Sequence, residues 1–290
     1  MPEERQTPAG ASSVVPGVDA LRPSHGRLFM VVGVFDGLHR GHMYLIRHLR
    51  HEAAKRHARP AVITFDAHPD EILRGVAPPL LLDPQERLER LAGAGVEVTV
   101  VQHFDVALRT TPYDAFVRRI VERVDLAGFL MTPDAAFGYE RRGTPEALSE
   151  LGRAGGFEVV VVPPFEIDGR AIRSSEIRQA IAAGDLASAR RALGRDVAVI
   201  GSATSSEDRA ATEIRFDLPT AVPPDGEYAV AVRAAAGPAE LRRRLVIENG
   251  TLRVEPSLPV PPDRRVRIRL IGPRLPAPSV PVLRSAGHSR

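Results

Sequence analysis

The sequence predicts an α/β protein: one domain built on a parallel sheet, followed by a small β domain. Three observations predict it. Strand-like and helix-like segments alternate up to about residue 195, the pattern of a parallel sheet covered on both faces. One handover from strand to helix carries two glycines and two histidines in the run Gly33-Val34-Phe35-Asp36-Gly37-Leu38-His39-Arg40-Gly41-His42. From Asp196 the texture changes to short alternating segments between Pro and Gly clusters.

Composition sets the limits. The chain has 290 residues, room for one large or two ordinary domains, and its 43% apolar content suffices for a packed core. No stretch approaches the ~18 uninterrupted apolar residues of a membrane span. Residues 1–26 hold Glu3, Glu4 and Asp19 and no long apolar block, so they read as a flexible leader rather than a secretory signal. The absence of cysteine excludes disulfides, a thiol nucleophile and thiolate metal sites, and a cytoplasmic location is the simple reading. Net charge is +3, the basic residues are almost all Arg, and no block of five or six like charges appears. With aromatics at 5%, the stacking platforms of single-strand binders are not suggested either. Scattered Arg suits a phosphorylated small molecule better than a nucleic acid. An oligomer is left open.

Taken in order, the first strand is the apolar run 28–34. A helix over 43–58 follows, with Leu45, Ile46, Leu49 and Ala53 on one face. The second strand is 61–65, leading into Asp66-Ala67-His68-Pro69. Asp83-Pro84 starts a helix that ends at Gly93 and Gly95. The third strand is 96–101. Thr111-Pro112 and Thr144-Pro145 each pair an N-cap residue with Pro at the first helical position. The fourth strand is 128–131 and the fifth 157–162. Ser174-Ser175-Glu176-Ile177-Arg178 opens a helix through Ala182, and another spans 186–193. The β domain, residues 196–271, holds alternating segments at 213–217, 227–233, 244–247, 251–255 and 265–270, with Asn249-Gly250 as a hairpin turn. Residues 272–290 are Pro-rich and read as disordered.

The first turn carries the chemistry. In open α/β sheets ligands bind at the C-terminal ends of strands. Free N–H groups at a helix start favour an anion. Gly37 and Gly41 let main chain approach a phosphate closely. His39 and His42 can both face that phosphate. The H-x-x-H pair alone reads equally well as two surface histidines on a tight turn. The whole string G-x-F-D-G-x-H-x-G-H says more. It resembles the H-x-G-H nucleotidyltransferase signature in the form found in the bacterial FAD synthetase family, and that likeness implies a Rossmann-like fold.

Two loops and a helix start extend the resemblance, which covers about residues 27–200. Thr64-Phe65-Asp66-Ala67-His68-Pro69 is similar to the family's T-F-x-P-H-P loop, with Ala67 in place of the first Pro. Residues 133–143 are similar to its G-x-(D/N)-F-x-F-G-x-x-R-x-G run: Asp134, Phe137, Gly138, Arg142 and Gly143 fit, while Thr132, Ala135 and Ala136 depart. Residues 174–178 resemble S-S-T-x-I-R, with Arg173 for the leading Ser. The resemblance implies transfer of AMP from ATP to FMN, giving FAD and pyrophosphate, with Mg2+ accompanying ATP. It implies catalytic His39 and His42, and an ATP site of Gly33, Phe35, Asp36, Gly37, His39, His42, Ser174, Ser175 and Arg178. It places flavin contacts at Asp66, His68, Asp134, Phe137 and Arg142. No protein side chain is assigned to a metal. Because Ala135 and Ala136 remove aromatic surface and charge, a different phosphorylated acceptor stays open, as does a non-catalytic flavin- or nucleotide-binding regulator.

In the family a riboflavin kinase domain follows, with a P-T-A-N segment and a later glutamate as base. Here Pro219-Thr220-Ala221 is followed by Val222, and residues 264–270 hold only Arg among ionisable groups. The β domain therefore reads as a shortened kinase relic without activity, or as a β domain unrelated to the kinase.

Overall fold

The computed structural model describes residues 12–205, 210–234, 240–261 and 263–274. The chain divides into two compact units. One holds most of the chain to Gln179 together with 188–195 and 218–221. The other holds 180–187, 196–217 and the chain from Val222 onward.

In chain order the first unit is built from β1 (Ser13–Pro16), β2 (Leu28–Val32), α1 (Arg40–Lys55), β3 (Arg59–Phe65), α2 (Pro69–Arg74), α3 (Pro84–Gly93), β4 (Val98–Gln102), α4 (Val106–Arg109), α5 (Tyr113–Val121), β5 (Leu126–Met131), α6 (Pro145–Gly155) and β6 (Glu158–Val161). The small hairpin of β7 (Glu166–Ile167) and β8 (Arg170–Ala171) precedes α7 (Ser174–Ala182) and α8 (Leu186–Leu193). The six long strands form one sheet in the order β1-β4-β3-β2-β5-β6, every pair parallel. Successive residues of β2 serve opposite faces. Leu28 and Met30 join one core with Ala61, Ile63, Val98 and Phe129; Phe29 and Val31 join the other with Ile46, Leu49, Val62 and Leu130. That two-sided burial is why the strands read as unbroken apolar runs.

The strand order matters for function. From β2 the chain winds outward through β3 and β4, then returns to the other side of β2 with β5 and β6. The reversal at β2/β5 is the topological switch point, where such sheets leave a crevice beyond their carboxyl ends. The turn from β2 into α1 lies there.

The expected leader needs correction from residue 13 on. Ser13–Pro16 is a strand paired in parallel with β4, Val15 opposite Val100, and Val15, Val18 and Leu21 are buried in the core. Two adjacent valines before Pro16 and Gly17 are too short a signal to see; β4 supplies the partner that makes them a strand. Residues 1–11 lie outside the described residues. Thr111 also differs: its hydroxyl donates to the Ala107 carbonyl, and Pro112 is the N-cap of α5 without a side-chain bond. Asp83 and Thr144 do cap their helices, accepting from Gln85 N and Ala147 N.

The second unit holds a closed six-stranded antiparallel barrel: β9 (Ala198–Ser205), β10 (Thr212–Arg215), β11 (Gly226–Ala234), β12 (Leu241–Glu248), β13 (Thr251–Glu255) and β14 (Arg265–Arg274), in the order β10-β13-β12-β11-β14-β9. Alternate residues point inward, including Tyr228, Val230, Val232, Leu245, Ile247, Val266, Ile268 and Leu270. The Tyr228 hydroxyl donates to Pro224 O at 2.7 Å, so the ring is buried without an orphaned polar tip. β9 had no expectation in the sequence. β14 runs three residues past the expected boundary at 271, and residues 275–290 of the expected tail lie outside the described residues.

Candidate active site

The turn from β2 to α1 is strained and held from all sides. Phe35, Gly37 and Leu38 all have positive φ, at 54°, 79° and 37°. For the two non-glycine residues this is unfavourable, of order 1–3 kcal/mol each, and persists only where surroundings over-determine it. They do. Val34 O accepts from the Thr64 hydroxyl and from Arg87. The buried Asp36 carboxylate accepts from Leu81 N at 3.0 and 3.1 Å and pairs with Arg178 at 2.6 Å. Asp36 O accepts from the Ser174 hydroxyl. Gly37 O and Leu38 O both accept from the Arg195 guanidinium, at 2.6 and 3.1 Å.

This scaffold presents two imidazoles. His39 is the N-cap of α1, its Nδ1 accepting from His42 N at 3.3 Å. That assigns the proton of the neutral ring to Nε2, a donor. The His39 and His42 rings stack, centroids 3.7 Å apart and 19° from parallel, and Phe35 leans on His42 at 5.0 Å. Burial, with Arg195 adding repulsion, lowers the pKa of His39 to about 4. Burial, then His39 and Arg195, holds His42 well below its ordinary value. Both rings are thus neutral near pH 7 in the free protein. His42 Nδ1 is buried without a hydrogen-bond partner among the described residues. Gly41 is closely packed: a Cβ there would lie 3.1 Å from the His39 ring, which would have to shift to admit it.

Of the expected nucleotide residues, Gly33, Phe35, Asp36, Gly37, His39, His42, Ser174 and Arg178 come together at this turn. Asp36 and Arg178 face each other, and Arg178 Nε also donates to Pro79 O at 2.8 Å. Ser175 is exposed at the start of α7. On the neighbouring strand end, Asp66 is tied to His103 at 2.6 Å and accepts from Phe104 N and Ala67 N. Burial works to raise its pKa, but these partners outweigh it and the carboxyl ends below its ordinary value. His68 caps α2, accepting from Asp70 N; burial, with Arg178 adding to it, lowers its pKa. The β5–α6 loop is different. Asp134 accepts from the Thr132 hydroxyl, Arg142 pairs with Glu140 and is 72% exposed, and Phe137 turns its ring onto Phe116 and Phe129, both at 5.8 Å. The aromatic surface of Phe137 therefore serves the core. Gly138 and Gly143 pass so close to Tyr113 that a Cβ on either would fall 2.7 Å from it.

Sequence reasoning missed Arg87 and Arg195. Neither stands in a motif, and single arginines far along the chain carry no local signal. It also missed the pairing of Leu80, which donates to Pro219 O and accepts from Ala221 N within the same unit. Among the described residues no group of three or more His, Cys, Asp or Glu could hold a metal, and the Asp36 carboxylate is fully engaged.

A doubly wound parallel sheet, with an imidazole pair on its first crossover at the switch point, defines a nucleotide-handling α/β enzyme of the H-x-G-H class. Comparison with known proteins narrows this. Residues 21–176 match the model of the FAD synthetase family. A bifunctional riboflavin kinase/FMN adenylyltransferase of Pseudomonas fluorescens is 30% identical, the match covering 76% of this chain and 72% of that protein. The protein of the same description from Haemophilus influenzae is also 30% identical, over 72% and 70%. A solved structure described as a macrolide-efflux protein from Streptococcus pneumoniae shares the fold, with a TM-score of 0.76 at 23% identity and 91% coverage of both chains. The chain belongs to the FAD synthetase family. No helix among the described residues is long and apolar enough to cross a membrane.

Proposed function

We propose that the protein is an FMN adenylyltransferase: a phosphate oxygen of FMN attacks the α-phosphorus of ATP, the bond from that phosphorus to the bridging oxygen breaks, and FAD and pyrophosphate leave. The observation that carries this reading is the stacked, neutral His39–His42 pair on an over-determined turn at the switch point. Transfer of this kind needs little covalent help from the protein; positioning and stabilisation of developing charge do most of it. In this reading His39 donates from Nε2 to the triphosphate and His42 stands beside it. Ser175 meets the departing pyrophosphate. Arg178 and Arg195 supply positive field from behind the turn. Asp66, His68, Asp134 and Arg142 border the flavin, and Phe137 supports that border from below. Magnesium, which no side chain here is assigned to hold, would come with ATP and would supply positive charge at the phosphates. The kinase reaction is absent. A cytoplasmic site of action suits soluble nucleotide substrates.

The test is FAD formation from FMN and Mg-ATP by purified protein, followed by chromatography. Turnover in the wild type and its loss in a His39→Ala/His42→Ala double variant support the reading. Intact ATP binding with no product would remove it. One second reading has its own observation: with Ala135 and Ala136 small and the Phe137 ring turned inward, the acceptor side offers little aromatic surface. A different phosphomonoester would then be the acceptor, and pyrophosphate release across a panel of acceptors separates the two.

A further inference from the structure

Arg87 is a buried cation that the proposed reaction does not use. It sits on α3 and is only 7% exposed, and the Asp36, Asp66 and Asp83 carboxylates favour its charge from a distance, without a salt bridge to any of them. Its terminal nitrogens instead donate to two main-chain carbonyls, Val34 O at 3.1 Å and Phe65 O at 2.7 Å. Its Nε is buried without a partner among the described residues. The two acceptors stand at the entrances to two different loops. Val34 leads into the turn with His39 and His42. Phe65 leads into Asp66 and His68. The planar guanidinium fork offers these two carbonyls two donors at a rigidly fixed spacing, whereas a lysine ammonium offers a point charge on a flexible stem. Burial works against the Arg87 charge and the three carboxylates offset part of that cost, while its direct hydrogen bonds go to the two main-chain carbonyls.

We infer that Arg87 is a positioning residue for the transfer: one guanidinium holds the imidazole-bearing turn and the Asp66–His68 loop at a fixed separation. The acceptor phosphate is thereby delivered in line with the phosphorus it attacks. This rests on the adenylyltransferase reading for its catalytic consequence, and on the two hydrogen bonds for its geometry.

The test uses Arg87→Lys and Arg87→Met in the full chain. A positioning role lowers kcat about 10- to 100-fold, since misplacement of about 1 Å costs on that scale. KM for ATP and for the acceptor stays within about 3-fold, because ground-state contacts remain. The chain has no cysteine, so spin labels at Arg47→Cys and Glu71→Cys, both exposed, report the separation of α1 and α2 without relying on activity. The distance distribution should broaden in both Arg87 variants. Retention of kcat within about 3-fold in Arg87→Lys, or a rise in KM at constant kcat, overturns the proposal. So does loss of the folded state in both variants by near-UV circular dichroism, which would make Arg87 a stability element only. If the wild type makes no FAD, the functional reading fails while the label distances still judge the clamp.

Discussion

At pH 7 the His39 imidazole is uncharged in the free protein, because burial and the Arg195 guanidinium bring its pKa down to about 4. The unfolded chain has an ordinary imidazole at about 6.5. Between those values the unfolded state takes up a proton that the native state refuses, so stability is full above pH 6.5 and falls as pH drops toward 4. One pKa unit is 1.36 kcal/mol, so His39 alone removes about 2 kcal/mol by pH 5. His42 works in the same direction. Urea unfolding at pH 7 and pH 5 should show this loss, and His39→Gln should show less of it. A bound triphosphate reverses the field at both rings. Nucleotide binding at pH 5.5 should therefore take up protons, read as a dependence of calorimetric heat on the buffer's ionisation enthalpy. Gly41→Ala tests placement rather than charge. The added methyl meets the His39 ring at 3.1 Å, and turnover should fall about 10-fold or more with the fold intact by circular dichroism.

The tight turn between β2 and α1 was legible in the sequence, since its glycines, its histidines and the flanking apolar run are contiguous. What braces it was not. Arg87 and Arg195 reach Val34, Gly37 and Leu38 from up to 158 positions away, and a lone arginine carries no spacing to read; Ser174 and Arg178 stood in a motif, which gave no sign of their bonds to Asp36. Asp36 looked like part of the nucleotide site; in the fold its carboxylate is spent on Leu81 N and Arg178. Breaking a buried pair by removing one partner costs about 3–5 kcal/mol. Asp36→Asn should thus lower unfolding stability on that scale, measured in urea, beyond any effect on nucleotide affinity. The β5–α6 loop adds a packing role that the motif did not show. Phe137 matched an aromatic position of the family run, yet its ring packs on Phe116 and Phe129. Phe→Ala in such a setting costs about 3 kcal/mol. Phe137→Ala should lose stability of that order, measured in urea.

At the scale of the whole chain, alternation of strand and helix was enough to foresee a parallel sheet, and short alternating segments enough to foresee a β domain. β1 and β9 escaped: Ser13–Pro16 is too brief to register alone, and Ala198–Ser205 is rich in Ala, Ser and Gly rather than in strand-forming residues. Closure explains why a weak strand suffices in the barrel. β9 is flanked by β10 and β14, so its backbone groups are paired on both sides and no edge is left. The proposed loss of the kinase reaction rests on side chains and not on the barrel's closure. Residues 264–270, on and just before β14, offer four arginines and no carboxylate that could act as a base. Pro219 and Ala221, where the nucleotide-binding P-T-A-N segment would begin, give their backbone groups to Leu80, which precedes the Asp36-bound Leu81. Those two backbone bonds tie the segment to the neighbourhood of the turn. Incubation with riboflavin and Mg-ATP should accordingly yield no FMN and no FAD, while FMN and Mg-ATP yield FAD. Appearance of FMN from riboflavin at any rate above a heat-killed control would show that the barrel phosphorylates through groups other than those missing here.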